Sequence, residues 1–231
     1  MTIHTADREE MLRTIAAECL YTRGLTGIAT ISAQVLAAMG KVAREEFVPP
    51  AFRPNAYDNS PLPIGSGQTI SQPFIVALMT DLLLPEATDV ILEIGAGSGY
   101  QAAILAELVK TVHTIEIIPE LAHAAAARLA RLGYENVAVQ EGDGYQGLAD
   151  HAPYDGIIVT AAAPHIPPPL IAQLKPGARL VIPVGLPHSV QELMVVSKDR
   201  HGKIGEENVL AVAFVPLTGA AQRGGRRPEA E

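Results

Sequence analysis

The 231-residue sequence holds one cysteine, no tryptophan, four phenylalanines and six tyrosines. With Cys19 alone, no intramolecular disulfide can form, which excludes a disulfide-stapled scaffold and fits a reducing compartment. Basic charge is also scarce: 17 Lys and Arg stand against 25 Asp and Glu, a net charge of −8. The clustered basic surface of a phosphate-backbone binder is therefore missing, and no nucleic-acid partner is expected. No run approaches the ~20 apolar residues of a membrane-spanning helix. Residues 1–20 include Asp7, Arg8, Glu9 and Glu10 and lack a continuous apolar stretch, so neither a secretory signal nor a membrane partner is expected. The expected location is cytoplasmic. The histidines include no pair at i+2 or i+4 and have no cysteine partners, so no metal is expected; the G-x-S-x-G elbow of serine hydrolases is absent too.

What is present is a compact composition, 48% hydrophobic and 18% charged, long enough for one domain with a large core. Residues 7–21 predict an amphipathic helix with Met11, Leu12, Ile15, Ala16 and Cys19 on one face, which makes Cys19 a buried structural thiol rather than a nucleophile. A short helix fits 32–40, and an irregular proline- and asparagine-rich piece fills 47–66. From residue 89 strands and helices alternate: strands at 89–95, 111–117, 136–143, 154–163 and 178–185, with helices at 99–109, 119–133 and 167–175 between them. Late strands are expected at 193–198 and 209–217. This pattern predicts a mostly parallel sheet with helices on both faces, closed by an antiparallel strand pair. The expected organisation is an N-terminal helical extension over 1–66, a core over 67–218 and a disordered tail over 219–231. No sequence feature assigns an oligomeric state.

Two stretches carry chemistry. The first, PLPIGSGQTISQP (61–73), precedes a helix whose Ile75, Leu78, Met79, Leu82 and Leu83 share one face. Ser71 reads as its N-cap, with Pro73 in the first turn, while the glycine-flexed run before it lets backbone approach a ligand. The second, EIGAGSG (93–99), joins the first strand of the alternating region to its helix, where open α/β sheets bind nucleotides. Gly95 and Gly97 fit a dinucleotide fingerprint, but Tyr100 occupies the third glycine position and Gly99 falls one residue early. Glu93 can face the amino group of a methionine moiety. Glu116 ends the next strand, at the distance where a carboxylate grips ribose hydroxyls. Asp143, followed by Gly144, ends the third and can accept from an adenine amino group. Glu93, Glu116 and Asp143 thus stand at successive strand ends, which favours S-adenosylmethionine over NAD.

With these stretches together, the chain resembles the protein-L-isoaspartate O-methyltransferase family from about residue 7 to 218. PLPIGSGQTISQP is the most specific part, supported by VILEIGAGSGYQAAILAELV, YDGIIVTAAAPHIPPPLIAQLKPG and the late FVPLT. The resemblance implies a Rossmann-like methyltransferase fold. It also implies methyl transfer from S-adenosylmethionine, leaving S-adenosylhomocysteine, to the α-carboxylate of L-isoaspartyl residues in damaged proteins and peptides, followed by collapse to a succinimide and partial return to aspartate. It makes Ser71 the active-site residue, places Gln68, Thr69 and Ile70 beside cofactor and substrate, and assigns Glu93, Gly95, Gly97, Gly99, Glu116, Asp143 and Gly144 to the cofactor. Thr218 would lie near the substrate. The same residues leave open a non-catalytic S-adenosylmethionine-binding regulator, or a methyltransferase for another substrate, including another carboxylate.

Overall fold

The computed structural model describes residues 4–187 and 189–219. Helix α1 (Thr5–Thr26) buries Met11, Ile15 and Cys19, which recur every four residues along one stripe. It ends on Gly27, whose φ of 69° suits a left-handed cap and whose N–H returns to the Arg23 carbonyl. Helix α2 (Ala33–Lys41) follows, then two 3₁₀ turns, Arg44–Phe47 and Pro50–Asn55. A small hairpin, β1 (Leu62–Gly65) and β2 (Gln68–Ile70), lies where the sequence suggested only a flexed bend. Gly65 pairs with Gln68, leaving Ser66 and Gly67 as a two-residue loop. Both have positive φ, 50° and 70°, the requirement of the tight turn that matches strand twist.

Helix α3 (Pro73–Leu83) then enters the core. Its N-cap is Gln72, not Ser71, and the cap residue's side chain makes no capping bond. The orphan N–H of Phe74 is instead taken by Asn59 Oδ1 at 3.0 Å, so the start of α3 is capped from another segment. Pro73 does occupy the first turn, as expected.

The alternating region forms β3 (Val90–Ile94), α4 (Tyr100–Ala106), β4 (Thr111–Glu116), α5 (Pro119–Arg131), β5 (Val137–Glu141), β6 (Tyr154–Val159), α6 (Pro168–Ala172), β7 (Leu174–Val184), β8 (Gln191–Lys198) and β9 (Ile204–Val212). These strands make one seven-stranded sheet in the order β5-β4-β3-β6-β7-β8-β9. Pairing is parallel from β5 to β7 and antiparallel from β7 through β9. Several boundaries differ from expectation, and β6 ends at Val159 rather than 163. β7 starts at Leu174 and takes residues assigned to the preceding helix, and β9 spans 204–212 rather than 209–217. Glu206 and Glu207 disguise β9 as loop, yet β9 is an edge strand on which exposed charge blocks further pairing. Of the tail expected from Gly219, residues 220–231 lie outside the described residues.

Strand alternation sorts side chains between two cores. Ile91 and Ile158 join the cluster that includes α1, α2 and α3, whereas Leu92, Ile94, Ile157 and Val159 pack on the opposite face. Glu93 shares the parity of Ile91, so it points to the face that carries Ser71 and α4. The strand order reverses at β3, since β4 and β5 lie to one side and β6 to the other. A crevice opens outside the strand ends at such a point.

Candidate active site

Three adjoining cavities converge on that crevice. The first is lined by Gln68, Thr69, Gly95, Gly97, Glu116 and Gly144, together with Pro216, Leu217 and Thr218. The second is lined by Thr69, Ile70, Ser71, Glu93, Gly95 and Gly97, among others. The third is a cleft of about 750 Å³ bordered by Glu18, Ser71, Gln72, Phe74, Val190 and Phe214. Ser71 lines both the Glu93 cavity and the large cleft, so it stands at their junction. Because α3 takes its cap elsewhere, the Ser71 hydroxyl has no hydrogen-bond partner among the described residues.

Glu93 has no exposed surface, and among the described residues neither carboxylate oxygen has a hydrogen-bond partner. Burial pushes its pKa up to about 8; the Thr114 hydroxyl beside it pulls the other way, and the Glu116 charge adds to the rise. Thr114 is its register neighbour on β4. Glu116 is differently placed. Its Oε2 accepts from the Gly97 N–H at 2.8 Å and its Oε1 from the Ile118 N–H at 3.0 Å, so it braces the glycine loop from the neighbouring strand. Each of its oxygens keeps a further acceptor site.

Most of the expected residues meet here, and three carry different placements. Gly99 lines none of these three cavities: it caps α4 at φ 86°, and a Cβ there would stand 3.2 Å from Leu129 on α5. Its positive φ makes the turn, and its missing side chain leaves room for the helix packing. Asp143 accepts from the Tyr145 N–H at 3.0 Å and caps a 3₁₀ turn, while a Cβ on Gly219 would overlap its carboxylate. Thr218 lies with the Glu116 and Gly144 set, not in the cleft that Ser71 borders. Gly95 is required by contact as well as conformation, since a Cβ would stand 2.5 Å from Thr160 Oγ1.

Thr160 was not singled out by the sequence. It follows β6 and lines all three cavities, and its hydroxyl donates to the Gly95 carbonyl at 2.6 Å. The expected strand ran on to 163 and hid it; the observed β6 ends at Val159, which puts Thr160 just past the strand end beside β3.

The family profile described as Protein-L-isoaspartate(D-aspartate) O-methyltransferase matches residues 23–222. The chain belongs to this family. A protein-L-isoaspartate O-methyltransferase 2 of Syntrophobacter fumaroxidans is 58% identical over 214 residues, 93% of this chain and 87% of the relative. Another, of Nitrosococcus oceani, is 60% identical over 210 residues, 91% and 95% of the two chains. A solved protein-L-isoaspartate O-methyltransferase is 27% identical with a TM-score of 0.79, covering 92% of this chain and 66% of that one. A Plasmodium falciparum structure described as a beta-aspartate methyltransferase in complex with S-adenosyl-L-homocysteine shares the fold, with a TM-score of 0.73 at 22% identity, covering 91% and 98%.

The residues of this chain fit the family's S-adenosyl cofactor. An acid buried without a partner, as Glu93 is, suits a cationic amino group brought into the same dry cavity, because pairing offsets the cost of its charge. Glu116, at the end of β4, offers acceptors where ribose hydroxyls are held in nucleotide-binding sheets. Among the described residues no group of three or more His, Cys, Asp or Glu is arranged to hold a metal ion.

Proposed function

We propose that Ser71 aligns the substrate carboxylate across the junction between the Glu93 cavity and the large cleft. The reaction is that of the family: methylation of L-isoaspartyl carboxylates in damaged protein, with S-adenosylmethionine as donor. When bound, the cofactor supplies a methyl group on sulfur that is already activated for transfer. Elementary acid chemistry then sets what the chain must do. An α-carboxylate with an ordinary pKa near ~3.5 is ionised at neutral pH, so the chain needs no general base. Its task is to hold two reactants in line and keep water out, which in favourable intramolecular systems is worth about 7–11 kcal/mol.

In this reading Glu93 holds the amino end of the cofactor, Glu116 the ribose, and Gln68, Thr69, Ile70 and the Gly95–Gly97 turn the walls between. The Asp143–Gly144 turn and Thr218 close the nucleoside side. The Ser71 hydroxyl donates to the incoming carboxylate and aims one oxygen at the methyl carbon, and the nearby N-terminus of α3 favours negative charge. Residues 67–218 form the catalytic core, and the N-terminal extension contributes Glu18 to the cleft rim. The cleft gives room for a peptide segment, so isoaspartyl proteins and peptides are the partners. A cytoplasmic location fits the lone buried Cys19.

One observation carries this reading: Ser71 borders both the cavity of the buried acid and the cleft. The test is transfer from labelled S-adenosylmethionine to an isoaspartyl peptide and to its aspartyl twin. Label on the isoaspartyl peptide alone is expected; equal labelling, or none, rejects the reading.

A further inference from the structure

Arg44 is the largest fully buried side chain and is far from ordinary for a cation. No carboxylate pairs with it among the described residues. Its Nε donates to the Ala56 carbonyl at 2.7 Å and its Nη2 to the Ser71 carbonyl at 2.7 Å, while Nη1 has no hydrogen-bond partner among the described residues. The guanidinium lies 4.7 Å over the ring of Tyr100, the first residue of α4, which lines the Glu93 cavity. An uncompensated buried charge costs several kcal/mol, and a neutral donor could satisfy a carbonyl more cheaply. What only arginine gives is a rigid planar fork that fixes two separate segments and stacks on an aromatic face.

Ser71 needs such a hold. It lies after β2 and before α3, outside both, and the bond from Arg44 is the only hydrogen bond it makes among the described residues. We propose that Arg44 is a positioning residue that clamps the Ser71 main chain against Tyr100, and so fixes where the Ser71 hydroxyl stands relative to the cofactor cavity. This rests on Ser71 acting as described above. Arg44 touches neither reactant; it acts through Ser71.

A double-mutant cycle on the full chain tests it, reading kcat at saturating S-adenosylmethionine and isoaspartyl peptide. Affinity for S-adenosylhomocysteine checks that the cofactor cavity is intact. Arg44→Lys keeps the charge but replaces the fork with a single nitrogen, and should lower kcat about tenfold or more, since small misplacements of reacting groups are costly. In a Ser71→Ala background there is no hydroxyl to aim, so the same change should lower kcat by no more than about twofold further. A tenfold loss that persists in that background marks a merely structural role and overturns the inference, as does an unchanged kcat in Arg44→Lys alone. Wild-type turnover by Ser71→Ala alone overturns the reading of Ser71 itself. Should Arg44→Lys fail to bind S-adenosylhomocysteine, Tyr100→Leu replaces it in the cycle, removing the ring beneath the guanidinium while sparing both carbonyl bonds, with the same outcomes deciding.

Discussion

Replacing Glu93 with glutamine removes a buried titratable carboxyl while keeping the shape of the side chain. In the folded protein the Glu93 carboxyl titrates at about 8, against 4.5 for an ordinary glutamate. Its folded-state pKa is raised, so between those two values the unfolded chain gives up the proton while the folded chain retains it. Stability therefore falls as pH rises across that window, by about 1.4 kcal/mol per pH unit, and by about 3 kcal/mol in all at pH 7. Glutamine has no such proton to lose. Glu93→Gln should match the wild type near pH 4.5 and exceed it at pH 7, by roughly 6–12 °C in Tm for a chain of this size. Thermal unfolding of both proteins in the absence of ligand, from pH 4.5 to 8, provides the comparison. The gain should come with a loss: an ammonium no longer meets a carboxylate, so S-adenosylhomocysteine should bind about 10- to 100-fold more weakly by calorimetry. Parallel stability curves across the pH range, or unchanged affinity, would refute the assignment of Glu93 as a buried acid awaiting a cation.

Two further substitutions probe the scaffold around the site. A Cβ at Gly144 would overlap the Ile94 side chain at the end of β3, so Gly144→Ala should cost about 1–3 kcal/mol in denaturant unfolding and weaken S-adenosylhomocysteine binding; a neutral effect on both would show that the turn yields. Asn59→Ala removes the acceptor for the Phe74 N–H and the amide that donates to Glu18, and should destabilise by about 0.5–2 kcal/mol. Because Asn59 anchors the start of α3 just after Ser71, kcat should fall along with stability, and an unchanged kcat would separate the cap from the site.

The parallel half of the sheet was legible because its signals are local. Short β-branched runs alternate with helices that open on Pro119 or Pro168, and Glu93 and Glu116 stand at strand ends where the topology gathers them. Other features depend on distant partners. The β1–β2 hairpin is too short for alternation, and prolines at 61 and 63 argue against strand until Ile70 is seen opposite Leu62. Ser71 has the composition and spacing of a cap, but Asn59, twelve residues upstream, takes that role and frees the hydroxyl. Gly99 falls within the glycine loop, yet its reason is the close approach of Leu129 and Ala125. Arg44 sits in a charged run, REE, to which sequence reasoning assigned no role, and only the folded chain reveals a fully buried guanidinium.

A crystal structure with S-adenosylhomocysteine and an isoaspartyl peptide bound together would show where Ser71 stands between the two reactants. The nucleoside is expected between the Gly95–Gly97 turn and Glu116, the amino group on Glu93, and the peptide carboxylate within hydrogen-bond reach of Ser71 Oγ, pointing at the sulfur. A nucleoside lying away from residues 68–71, or a carboxylate held by other groups with Ser71 turned aside, would contradict this arrangement.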